Sequence, residues 1–234
     1  MPLLDHDGLP ARIRAPWESL ATVWVCKVMA HLNRLLPRDR YQAFATVHLG
    51  AEAEADISEL EIPGDWTDTG DGGLATLAVP PVATVEAAIP DEFEVKVHDA
   101  REGMSLVGVI EFVSPANKDR PDTREQLVNK TKAYLRLGIG VVLVDVVTSR
   151  AANPHNELVA ALRVRAAARL PDVPTYVAGY RPTREGDRWT IDMWPYVAPV
   201  GAGVPTVPLA LKNGPLVPLD LEGMYCAALA DHNL

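Results

Sequence analysis

The chain has 234 residues, 48% of them hydrophobic, which suits one domain with a substantial core, and its formal net charge is −9. That acidity argues against a stand-alone clamp for duplex nucleic acid, because phosphate neutralisation needs a basic surface; it leaves room for an enzyme that meets nucleic acid through carboxylates holding a metal ion. Met1 to Arg14 lack an apolar signal region, no run reaches the ~18 apolar residues of a membrane span, and Cys26 and Cys226 have no metal spacing, so the expectation is a cytoplasmic protein with reduced thiols, no membrane contact and an open oligomeric state.

The first predicted element is a helix from Pro16 to Leu36, with Trp17, Leu20, Ala21, Trp24, Val28, Leu32, Leu35 and Leu36 at helical spacing. From Gln42 to Leu60 the period changes to two. Ala43, Ala45, Val47 and Leu49 share one face and Glu52, Glu54 and Asp56 the other, as either a solvated strand face or an acidic site. Pro63 to Pro90 reads as a surface insertion or crossover. Phe93–Val97 and Leu106–Val113 read as strands joined by a turn at Glu102-Gly103, with Pro115 ending the second. A capping box at Thr123 predicts a helix carrying Leu127, Thr131, Tyr134 and Leu135 and stopping at Gly138. The apolar run Val141–Val147 predicts a central strand parallel to the preceding one. A helix over Asn156–Leu170, a hairpin of Thr175–Tyr180 with Trp189–Trp194, a second hairpin around Asn213-Gly214 and a helix over Glu222–Ala230 complete the chain. The order is that of an α/β protein, read as one domain with a core over 16–150 and an extension over 151–234.

Two acids stand out because each interrupts an apolar strand. Glu111 demands a partner, since an unpaired buried charge costs several kcal/mol. That partner is Lys130 or Arg124 in a structural ion pair, or a metal ion in a working site. Asp145 reads as a hydrogen-bonding group at a strand end, and Ser114, before Pro115, as a turn residue. Residues 116–136 hold six cations against three acids; that face either greets phosphates or is simply solvated. Carboxylates on neighbouring strands suit Mg²⁺, and a lysine beside them suits the positioning of water.

The segment Val109-Ile110-Glu111-Phe112-Val113-Ser114-Pro115-Ala116-Asn117-Lys118, followed by Arg124, Lys130, Gly138 and Val144-Asp145, resembles a bacterial domain-of-unknown-function family with an Ile-Glu-x-x-Ser-Pro-x-Asn-Lys strand end. More distantly it is similar to the PD-(D/E)xK nuclease superfamily. The second resemblance implies a restriction-endonuclease-like core (α-β-β-β-α-β, a mixed sheet flanked by helices), here with C-terminal β-hairpins, and Mg²⁺-dependent phosphodiester hydrolysis. Carried onto this chain, it makes Asp56 and Glu111 metal ligands and Glu111, Lys130 and Lys118 catalytic, with Glu52 and Glu54 as alternatives to Asp56. Position 113 is Val, so the usual Glu-x-Lys is missing there and Lys130 or Lys118 has to substitute. The alternative is a silent scaffold or interaction module of the same fold.

Overall fold

The computed structural model describes residues 2–6, 8, 17–48, 91–163, 168–186 and 188–232. Asp56, Glu52, Glu54 and the Pro63–Pro90 segment lie outside them. So does Pro16.

The architecture is mixed α/β. Helix α1 (Trp17–Leu35) is followed by strands β1 (Tyr41–His48), β2 (Glu92–Asp99) and β3 (Ser105–Phe112), a short helix α2 (Pro115–Asp119), helix α3 (Pro121–Arg136), strand β4 (Gly140–Asp145) and helix α4 (Pro154–Ala161). Strands β5 (Tyr176–Glu185), β6 (Arg188–Val197), β7 (Val207–Ala210) and β8 (Leu216–Leu219) and helix α5 (Leu221–Asp231) close the chain. Strands β1 to β6 form one sheet in sequence order, and only β3 and β4 run parallel. The β5–β6 hairpin therefore extends the main sheet and is not an appended layer; only β7–β8 forms a separate ribbon. No helix among the described residues is long and apolar enough to cross a membrane.

Alternation sorts side chains to the two faces of the sheet. Val142 and Val144 of β4 join the cluster under α1 and α5, whereas Val141 and Leu143 join Val128 and Leu135 of α3 and Leu158 of α4. Trp24 anchors the first cluster. It is fully buried, with ring centres 5.1 Å from Phe112 and 4.9 Å from Tyr225. The β7–β8 ribbon also packs on this face, over a floor of glycines from three neighbouring strands, Gly108, Gly140 and Gly179. A Cβ on Gly140 would stand 2.1 Å from the Ala210 carbonyl oxygen, so only glycine lets the ribbon approach.

Several boundaries differ from the sequence expectation for identifiable reasons. Helix α3 starts at Pro121, which suits a first helical position; Thr123 lies inside the first turn, where its hydroxyl accepts from the Arg120 amide. Helix α4 ends at Ala161 instead of running to Leu170, and Arg163 takes φ +55°. Strands β5 and β6 extend well past Tyr180 and Trp194, with Thr183 and Thr190 hydrogen-bonded across the ladder.

Candidate functional site

The chain from β3 into α3 is held by the residues of the Ser-Pro-x-Asn-Lys run. Pro115 starts α2, Ser114 caps it by accepting from the Asn117 amide, and the Asn117 side chain accepts from the Ser114 amide. Lys118 turns inward. Its ammonium donates to Asp145 Oδ1 at 3.1 Å, the Val147 carbonyl at 3.0 Å and the Pro174 carbonyl at 2.8 Å, which uses all three of its protons. Both ionic side chains are fully enclosed. Burial lowers the Lys118 ammonium and pushes the Asp145 carboxyl up to about 7, in each case against the pull of the partner. Lys118 is thus a clasp between the β3–α3 corner and the end of β4. The structure does not bring it to Glu111. Arg124 is likewise engaged elsewhere, with Glu157 Oε1 at 2.7 Å and the Lys118 carbonyl at 3.2 Å.

Glu111 meets a different set of residues. On β2 the period of two sends Phe93, Val95 and Val97 into the α1 core and leaves Glu92, Glu94 and Lys96 on the side covered by α3. The antiparallel register sets Glu94 directly opposite Glu111. Two carboxylates in that relation repel, and neither is wet: the side chains are 0% and 4% exposed. Lys130, from the middle of α3, relieves them. Its Nζ lies 2.5 Å from Glu94 Oε1, 3.0 Å from Glu111 Oε2 and 3.0 Å from Glu92 Oε1. Lys96 Nζ stands 2.5 Å from the other oxygen of Glu94. The Tyr134 hydroxyl, one helical turn beyond Lys130, reaches Glu94 Oε1 at 3.5 Å.

The remaining repulsion is removed by a proton. Burial and the hydrogen-bonded, charged neighbour Glu94 raise the Glu111 carboxyl well above the usual range and favour its protonated form, against the pull of Lys130. Burial pushes Glu94 the same way, but the hydrogen bond with Glu111 and the Lys130 ammonium outweigh it and hold Glu94 at about 2. Burial likewise opposes the charge on Lys130, yet Glu111 and Glu94 raise its pKa. Tyr134 is raised by burial and by Glu94. The result is a carboxyl pair with one proton, under two ammonium groups, titrating as a unit. Lys96 and Lys130 are each 26% exposed and Glu92 30%, so the dry pair has a wet lip.

Glu111 and Lys130 are thus brought together, Lys118 is placed elsewhere, and Asp56 lies outside the described residues. Glu92, Glu94, Lys96 and Tyr134 were not singled out from the sequence. A signal for them exists in Glu92-Phe93-Glu94-Val95-Lys96-Val97, where charged and apolar residues alternate in a strand.

Mg²⁺ prefers hard oxygen donors, and the facing carboxyl groups of Glu94 and Glu111 supply that chemistry from a rigid ladder. In this arrangement the Lys130 ammonium is the cation between them, so a divalent ion would compete with it and with the shared proton. Among the described residues no group of three or more His, Cys, Asp or Glu side chains is arranged to hold a metal. The donor set fits a two-carboxylate site with open water positions and not a closed protein cage. Compared with protein-family models, with curated proteins and with solved structures, the chain matches none.

Proposed function

We propose that the chain is a phosphodiester hydrolase of the PD-(D/E)xK type, with a restriction-endonuclease-like core, Glu94 and Glu111 as its paired acids and Lys130 as its catalytic ammonium. One observation carries this reading: two acids directly opposite on neighbouring strands converge on one lysine from the following helix, at 2.5 and 3.0 Å. The helix α1, the β1–β2–β3 meander, helix α3 and a β4 parallel to β3 give the order expected for that core. The Glu-x-Lys absent at 111–113 has a counterpart on β2, Glu94-Val95-Lys96. In this reading Glu94 takes the role expected of a first-strand acid such as Asp56.

Each residue has a task set by its surroundings. Ionised Glu94 is the fixed negative charge. Glu111, whose protonated form is favoured by burial and by Glu94, gives up that proton when a second cation arrives. Lys130 and Lys96 stand at the wet lip, where an ammonium stabilises charge developing on a phosphoryl group and orients water. Mg²⁺, when bound, lowers the pKa of a coordinated water and neutralises phosphate charge. The test is calorimetric titration with Mg²⁺ or Mn²⁺ in buffers of different ionisation enthalpy, together with cleavage of single- and double-stranded substrates. Binding that releases about one proton, cleavage that needs the metal, and loss of both in Glu111→Gln are expected. No metal binding, or equal cleavage by Glu111→Gln, refutes the reading.

A second reading, a silent scaffold, is favoured by one specific observation: the three acids Glu92, Glu94 and Glu111 already use the three protons of Lys130. It expects a fold unchanged by the metal ion and a cluster whose loss affects stability alone.

A further inference from the structure

At the far end of the sheet the C-terminal end of α3, the β5–β6 hairpin and the β7–β8 turn enclose an open groove of about 760 Å³. Its walls carry four cations, Arg136, Arg181, Arg184 and Lys212, against one lining acid, Glu185, in a chain whose net charge is −9. Arg181 is braced by Asp192 at 2.8 Å and Arg184 stacks 5.7 Å from the centre of the Trp189 ring. The side chains of Arg136 and Lys212 have no ion-pair or hydrogen-bond partner among the described residues. Trp189 itself is 47% exposed.

We propose that this groove binds single-stranded nucleic acid, with Arg136 and Lys212 on successive phosphates and the Trp189 indole stacking on a base. Cations alone would suit any anion. A half-exposed indole among them is the combination that suits unpaired bases, whose flat faces stack without regard to sequence. Carboxylates alone would give the indole nothing to stack on, and a double helix hides its base faces. The acidic remainder of the surface repels the polymer, which confines it to the groove and makes binding strongly salt-dependent. Gly140, on the groove wall, is in register with Gly108, three residues before Glu111, so the groove lies roughly 10 Å along the strand direction from the carboxyl pair. The proposal stands without the hydrolase reading, because it concerns binding in the absence of metal.

The experiment is fluorescence anisotropy with labelled oligothymidylate and oligouridylate in chelator, over a range of salt. If the groove neutralises about four phosphates, log affinity falls with log salt with a slope of about −3. The Arg136→Ala, Lys212→Ala double variant loses at least tenfold in affinity and about 1.4 from that slope. Trp189→Ala weakens binding several-fold and leaves the slope unchanged. Thermal melts confirm folding, and Arg136→Gln and Lys212→Gln, each alone, carry the test should the double variant misfold. A preference for either oligomer supports the proposal and tells DNA from RNA. It is overturned by no binding at low salt, by unaltered binding in the double variant, or by equally tight binding of a blunt duplex, inorganic polyphosphate or polyglutamate.

Discussion

Replacing Lys130 by Met removes the cation on which Glu92, Glu94 and Glu111 converge and keeps most of the aliphatic stem. At the 3.0 Å that separates its ammonium from Glu92, with an effective dielectric of about 20, a single such contact is worth roughly 5 kcal/mol of gross attraction. A quarter of the lysine side chain is in water, and taking its partners out of water has its own cost, so the net loss lies between that of a surface pair and that of a fully buried one. About 2–3 kcal/mol is expected. The partner variant Glu111→Gln removes the acid and keeps a neutral hydrogen-bonding group, the form that burial and Glu94 favour at this position, so it costs less. Urea unfolding at pH 7 of the wild type, both single variants and the double variant measures the coupling, expected at about 1 kcal/mol or more with Lys130→Met less harmful in the Glu111→Gln background. A loss below about 0.5 kcal/mol in Lys130→Met, or strict additivity, would refute the account, because the ammonium would then be no more than a solvated surface charge.

The carboxyl pair also sets a pH dependence. The folded pair holds one proton: Glu94 stays ionised down to about 2, while Glu111 stays neutral well above its ordinary value of 4.5. Below pH 4.5 the unfolded chain binds more protons than the folded pair, and above it fewer, so the contribution of the pair to stability peaks near pH 4.5 and declines on both sides. The difference in urea midpoint between wild type and Glu94→Gln, Glu111→Gln, followed from pH 3 to 8 (conditions spanning these values), shows that peak or disproves the shared proton. Lys118→Met strands a fully enclosed Asp145 and is expected to cost about 3–5 kcal/mol, with more than half recovered by adding Asp145→Asn; a mild single variant would contradict the clasp. Gly140→Ala forces the β7–β8 ribbon off its floor, and a thermal melt should show a loss of about 2–3 kcal/mol.

What the sequence determined by itself is what local physics decides. Helical spacing in α1, the apolar run that becomes β4, the Asn213-Gly214 turn and the stop at Gly138 depend on residues within a few positions of one another, and each element formed close to where that spacing placed it, although β4 ends at Asp145 and not at Val147. The strand acid Glu111 was legible too, because a charge in an apolar run demands a partner wherever the chain goes. Which partner it takes is a matter of register. One residue's slip would turn Glu94 to the other face, and only the β2–β3 ladder sets it opposite Glu111 under Lys130. The same holds for Lys118, which by sequence sits as close to Glu111 as any lysine but is led by the capped turn at Ser114 into the end of β4. The groove is the clearest case: Arg136, the β5–β6 hairpin that carries Arg181 and Trp189, and Lys212 are far apart in the chain and show no shared pattern, and they meet because the glycine floor lets the β7–β8 ribbon lie against the sheet.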